Sequence, residues 1–380
     1  VKCLLITRSV PPSNKIAARR WGNLIENSHD VDFDIICEEG DGFHIFKSAK
    51  ERIDLSEKKN SRRKKESKFA SPIFDKSSIK WIVALVFNLR FYIKIAKNSD
   101  ILILSYGPAG PLWFGWFLSF LSGTDFIIDF RDCFESRRNK KAYGLVNLIS
   151  VCLERKITRS ASAVITISDK LADYIQKQTD IKPFSIYNGW VADDKISRCS
   201  KISNYLYYAG TVYEHRLESL VLVLEVMQDL TSINLKIRCL NPLPEEFIAL
   251  IHEKGLTGRV EILGSAPENI VKAEMGCALG VLVLEDVKCE SEYALGTVTG
   301  KLLGLLVSGV PGIAFSARGS EIERLTALTE DWDFAYDLKS TFEAVKNRLS
   351  YSGQDSHFAS GMEAYSAAEM AEKLRCVIQK

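Results

Sequence analysis

The sequence predicts an α/β protein of two doubly wound domains, each a largely parallel sheet covered by helices on both faces. Short apolar runs alternate with segments of helical period through both halves of the chain, the pattern that buries a parallel sheet between helix layers. The 380 residues exceed what one hydrophobic core usually serves. An Asn188-Gly189 turn separates the two series, and the domains are read as 1–195 and 196–361, with a final helix pattern over 362–380.

Lys2–Thr7 reads as a buried strand, followed by a polar loop through Pro11, Pro12 and Asn14 and a helix over about 15–27. Residues 31–37 alternate apolar side chains with Asp32 and Asp34, which suits a strand with one wet face. Strands at 101–106, 126–130 and 163–167 follow, separated by helices near 110–122 and 144–158. In the second of these helices Leu145, Leu148, Ile149, Cys152, Leu153 and Ile157 form one apolar stripe. Ser168 stands where a helix N-cap belongs. The second series has strands at 205–209, 233–240, 260–263, 279–284 and 310–315. Pro244 falls just inside a helix start and Gly255 just past its end. In such domains ligand groups sit at the carboxyl ends of the strands.

With 46% hydrophobic and 26% charged residues the composition is that of a folded protein, and a formal net charge of +2 makes no case for nucleic acid. Nine scattered cysteines without a CxxC pair predict neither a disulfide scaffold nor a zinc site, and so a reducing, cytoplasmic setting. The first apolar run, at 3–6, is too short for a signal peptide. Those at 81–89 and 111–121 fall short of the ~18–20 residues of a membrane span. One segment departs from the average: Lys58–Lys68 holds seven basic residues and one acid, and an aromatic, basic stretch with Trp81, Phe87, Phe91 and Tyr92 follows it. Alone the segment is a solvated loop; with its aromatic neighbours it suits an anionic membrane surface at the periphery of the protein.

Several motifs recur in a telling order. The first strand leads through Pro11-Pro12 to Arg19-Arg20; a strand ends in Ser105-Tyr106-Gly107-Pro108, and after a helix another ends in Asp129-Phe130-Arg131-Asp132. Ala163-Val164-Ile165-Thr166-Ile167-Ser168 precedes a helix, and Tyr187-Asn188-Gly189 closes the first half. In the second half come Tyr208-Ala209-Gly210-Thr211 with Arg216, then a loop, Lys301, a helix and Gly309-Val310-Pro311. In this order they resemble the bacterial family-4 type glycosyltransferases of the GT-B fold, whose Pro-Asn-Gly interdomain signature is matched here with tyrosine for proline. The resemblance implies Rossmann-like domains facing across a cleft, the terminal helix through Tyr365 and Ala371 crossing back to the first. It implies an acceptor on the first domain, a nucleotide-sugar donor on the second, retention of configuration and no cofactor. A glycan or lipid-linked acceptor in surface polysaccharide synthesis is the expected partner. One position departs: where the family carries a glutamate for the donor ribose, five residues before the helix-ending glycine, this chain has Gly304. Glu290 and Glu292 are the acids nearest in sequence that compensate, or the donor pocket is altered.

The chemistry requires that the negative charge on the departing diphosphate be met without a metal, by cations and aligned N–H groups. Gly210, Thr211, Arg216 and the loop-to-helix junction Thr299-Gly300-Lys301 are the donor-side candidates; a glycine turn and a solvated arginine are the plainer alternative. Asp129, Arg131 and Asp132 end an apolar strand and are the catalytic candidates, with Asn14, Arg19 and Ser105 on the acceptor side; a loop-fixing pair of Asp129 with Arg131 is the alternative. Asp193-Asp194 and the Asp30, Asp32, Asp34 series fit a turn and a wet strand face better than a metal site. Two other readings keep the fold: a catalytically silent scaffold or binding subunit, favoured by Gly304, and an epimerase, for which no base stands out.

Overall fold

The computed structural model describes residues 1–11, 13, 16–39, 42–46, 81, 83, 86–107, 109–131, 144–350 and 360–380. Asn14, the Lys58–Lys68 segment and Asp132 lie outside them. The chain forms two compact units, one of residues 1–189 with 367–380, the other of 190–366.

In chain order the first unit runs β1 (Lys2–Thr7), α1 (Ile16–Glu26), β2 (Asp32–Glu39), β3 (Gly42–Phe46), α2 (Leu89–Lys97), β4 (Ile101–Tyr106), α3 (Gly110–Ser122), β5 (Phe126–Phe130), α4 (Gly144–Ser160), β6 (Ala163–Thr166), α5 (Asp169–Thr179) and β7 (Phe184–Ser185). Its sheet has the order β3-β2-β1-β4-β5-β6-β7, parallel except for the β2–β3 pair. The central strands are buried along their length, as strands covered on both faces must be. This corrects the wet face expected at 31–37: Asp34 is buried and pairs with Lys2 at 3.0 Å. The Ser168 hydroxyl accepts from the Leu171 N–H at 3.1 Å and caps α5 as expected. Of the apolar stripe predicted for α4, Ile157 is buried but Cys152 is exposed.

The second unit continues with β8 (Tyr205–Gly210), α6 (Leu217–Asp229), β9 (Asn234–Cys239), α7 (Glu245–Glu253), β10 (Val260–Leu263), α8 (Glu268–Cys277), β11 (Gly280–Leu284), α9 (Glu292–Leu295), α10 (Leu302–Leu306), β12 (Gly312–Phe315), α11 (Glu321–Thr326), β13 (Trp332–Ala335) and α12 (Leu338–Ser350). Its sheet, in the order β10-β9-β8-β11-β12-β13, is parallel throughout. Pro244 is the N-cap of α7 rather than its first helical residue. The last helix, α13 (Ala367–Ile378), belongs to the first unit and packs on α1.

Tyrosine at 187 is explained by its contacts. Its hydroxyl accepts from the Asp169 N–H at 3.1 Å, at the start of α5, and the ring is buried. Gly189 follows at φ +72°, where a Cβ would stand 2.8 Å from the Ala367 backbone, so both conformation and space select glycine.

One expectation about cysteines is overturned. Cys199 and Cys277, 78 positions apart in sequence, form a disulfide with Cα atoms 4.9 Å apart. It ties the segment entering β8 to the end of α8, beside a Cys199 N–H bond to the Gly276 carbonyl at 3.0 Å. Periodicity and spacing carry no sign of it, because the two cysteines meet only through the packing of α8. Closing a loop this long stabilises by about 2–4 kcal/mol. Peptide mapping without reductant should recover the two cysteines linked, and adding reductant should lower the unfolding midpoint. A pair that is fully alkylated in the native protein without reductant overturns this.

Candidate functional site

In the second unit the strand order reverses between β8 and β11, which are neighbours in the sheet. The crevice beyond their carboxyl ends is where a doubly wound sheet takes its ligand. β8 ends at Gly210, and the next carbonyl, of Thr211, accepts from Arg216 Nη1 at 3.0 Å and from the Tyr208 hydroxyl at 2.8 Å. Burial holds the Tyr208 phenol above its usual pKa, so it stays protonated and donates.

Arg216 closes a single 3₁₀ turn before α6. Its Nη2 and Nε reach Glu285 Oε1 and Oε2 at 2.5 and 3.3 Å, a forked pair with the residue directly after β11. The guanidinium lies 4.9 Å from the Tyr213 ring centroid, on which His215 also stacks. His215 Nε2 is 3.6 Å from Glu285. Burial draws the Arg216 pKa down, but the interactions with Glu285 and Tyr208 together offset this and leave it raised. From the other side, Lys301 Nζ donates to the Ala209 carbonyl at 3.2 Å. Gly210, Thr211, Arg216 and Lys301 thus converge on one strand end. Glu285 completes the group; the sequence reading missed it, although its place directly after the apolar strand β11 is the kind of position where ligand groups gather.

Two donor-side expectations change. The helix after Lys301 is only five residues long, so Thr299 and Gly300 lead into a weak helix end. What this corner offers an anion is cationic side chains. Glu290 and Glu292 are exposed, and neither fills the place of a side chain at 304. A Cβ on Gly304 would meet the Asp194 Cγ at 2.7 Å and both its carboxylate oxygens at 2.9 Å. The acid beside Gly304 is Asp194, held by the Val191 N–H at 2.9 Å. The Asp194 carboxylate occupies the space that a side chain at 304 would take.

In the first unit the candidates gather around a residue that sequence passed over. Arg20, not the exposed Arg19, is buried, with no solvent exposure. Its Nη2 and Nε meet the two Asp129 oxygens at 3.0 and 3.4 Å, and its Nη1 donates to the Ile186 and Tyr187 carbonyls at 2.7 and 3.0 Å. The Ser105 hydroxyl donates to Asp129 at 3.1 Å and accepts from the Trp21 indole at 3.0 Å. Asp129 and Ser105 are therefore members of a buried polar knot joining α1, β4, β5 and the turn after β7, which corrects their assignment to catalysis and to acceptor contact. Both are fully buried, so neither is placed to touch a substrate. Arg131 Nη2 donates to the Gly107 carbonyl at 3.2 Å, and its Nε lies 3.8 Å from Asp129. This is the loop-fixing pair that stood as the alternative.

No family model and no curated protein matches the chain. Solved structures do. HepE of Anabaena, in complex with UDP and glucose, is similar over 100% of this chain and 99% of its own, at 12% identity and a TM-score of 0.62. The lipopolysaccharide outer core galactosyltransferase WaaB, in apo form, matches over 100% and 99% at 14% identity and a TM-score of 0.64. A glycosyltransferase from Rickettsia africae matches over 100% and 97% at 13% identity and a TM-score of 0.62. At such identities the likeness is one of architecture, and the chain has the GT-B fold.

Proposed function

We propose that the chain is a glycosyltransferase that moves a sugar from a nucleotide-sugar, held by the second unit, to a glycan or lipid-linked acceptor taken by the first. The observation that carries this is the convergence of Gly210, Thr211, Arg216 and Lys301 at the β8–β11 reversal of a GT-B fold. A departing nucleoside diphosphate accumulates negative charge; Arg216 and Lys301 put two cations where it can be met. Glu285 holds the Arg216 fork in place, and Asp194, beside Gly304, is the carboxylate that accepts from donor hydroxyls. The same reading covers retention of configuration, independence from metal, and a role in polysaccharide synthesis.

A second reading, a catalytically silent binding subunit, draws on one observation: the Arg216 fork is already engaged by Glu285. The two part in a thermal-shift screen with UDP, GDP, CMP and their sugars, run in EDTA. The transferase reading expects one nucleotide series to raise the melting temperature and its sugar to be consumed in EDTA. At a ligand concentration of ~100 Kd the stabilisation is about 2.7 kcal/mol. No shift with any series supports the silent subunit. Turnover lost in EDTA and restored by magnesium or manganese removes metal independence alone.

A further inference from the structure

Two neighbouring helices of the first unit carry large apolar side chains on their outer faces as well as their inner ones. Of the sixteen large hydrophobic side chains exposed among the described residues, six lie on α2, the residues just before it, and α3: Val83, Val86, Phe87, Phe91, Phe117 and Phe120. Phe87 is 81% and Phe120 78% exposed, and Val86 is 70% exposed. Scattered exposed hydrophobics are ordinary, but a concentration of this kind marks an interaction surface.

The packing beneath leaves these side chains no inner site. Trp81, Tyr92 and Phe114 fill the interior with edge-to-face pairs at 5.1 Å, and the Trp81 indole donates to Glu38 at 3.3 Å. Trp81 and Tyr92, which the sequence grouped with the surface aromatics, are therefore core residues. Phe117 and Phe120 on α3 take their place outside.

Charge selects the partner. None of the thirteen residues of α3 is charged, although the helix presents two phenylalanines to solvent. The nine residues of α2 include Arg90, Lys94 and Lys97 and no acid, and all three cations are exposed. In the sequence no aspartate or glutamate occurs between Asp75 and Asp100. Aromatic side chains among cations, without acids, match the headgroup layer of an anionic bilayer, where rings enter the interface and lysines meet lipid phosphates. Among the described residues no helix is long and apolar enough to cross a membrane.

We propose that the outer face of α2 and α3 docks on the surface of an anionic lipid bilayer, with Phe87, Phe91, Phe117 and Phe120 entering the interface. The docking is independent of the transferase reading, because it is measured without donor or acceptor. The experiment is flotation of the full chain with vesicles of phosphatidylglycerol and phosphatidylcholine, against pure phosphatidylcholine. Wild type should float with the anionic vesicles and lose binding as salt rises. The pairs Phe87→Ser/Phe120→Ser and Lys94→Glu/Lys97→Glu should each weaken binding about tenfold or more. Phe184→Ser, at an exposed phenylalanine elsewhere in the unit, should leave it unchanged.

A second measurement covers variants that fail to fold: brominated lipid in anionic vesicles should quench the half-buried Trp113 and Trp116 of α3 in the wild type, with Trp113→Phe/Trp116→Phe assigning the signal. Three results overturn the proposal. They are no flotation at low salt, undiminished binding by both double variants, and a wild type that ignores vesicles but forms a dimer that Phe87→Ser/Phe120→Ser dissociates. The last would show a second copy on this face.

Discussion

Arg20→Met is expected to destabilise the first unit by about 3–5 kcal/mol, the cost of leaving a buried carboxylate without its cation. The effect is large because Arg20 has no solvent exposure and serves two chain segments at once, Asp129 on β5 and the carbonyls of Ile186 and Tyr187 after β7. Methionine fills part of the volume but satisfies none of these acceptors. Arg19→Met, one residue away and exposed, should stay within about 0.5 kcal/mol. Urea unfolding followed through tryptophan fluorescence reports the difference, since buried Trp21 donates to Ser105 within the same knot. The double variant Arg20→Met/Asp129→Leu should recover part of the loss, because the buried carboxylate is then removed with its cation, while Arg131 loses its longer contact to Asp129. If Arg20→Met costs no more than Arg19→Met, the knot is not what fixes this end of the sheet.

The difference between the two arginines was partly legible in the sequence. Ala17, Trp21 and Leu24 mark the buried stripe of α1, and Arg20 falls on that stripe while Arg19 falls off it. A charged residue on a core stripe announces a buried partner, but not which one: Asp129 lies 109 positions away. Strands followed the same division. Val260–Leu263 was legible to its ends, three apolar residues around the exposed Glu261 between turns. β7 is two residues long and had no pattern to read, and β13, at four residues, was not read as a strand. Asp34 looked wet because alternation reports one covered face, whereas β2 is covered on both and answers the acid with Lys2. At the donor corner, glycine and cations at strand ends pointed to Gly210, Arg216 and Lys301. Glu285 and Asp194 depend on contacts across 69 residues in one case and on a helix glycine in the other, and local sequence records neither.

That corner supplies the second large expected effect. Arg216→Ala should weaken nucleoside diphosphate binding by about 1.5–3 kcal/mol, roughly tenfold to more than a hundredfold, and nucleoside binding by much less. A charge-assisted fork acts on phosphate oxygens and not on the base, while Tyr213 and His215 stay stacked beside it. The variant also strips Glu285 of its partner, leaving a carboxylate that repels the diphosphate. Glu285→Gln on the Arg216→Ala background separates the two contributions: any recovery measures repulsion, and what remains is the lost fork. Asp194→Asn gives the complementary pattern. Asparagine retains an oxygen for the Val191 N–H but accepts hydroxyl groups less strongly, so nucleoside and nucleoside diphosphate should weaken together. Titration calorimetry with both ligands on the wild type and all three variants makes the comparison. Equal losses for the two ligands in Arg216→Ala would detach Arg216 from the diphosphate. Unchanged nucleoside binding in Asp194→Asn would return the Gly304 notch to a purely structural role.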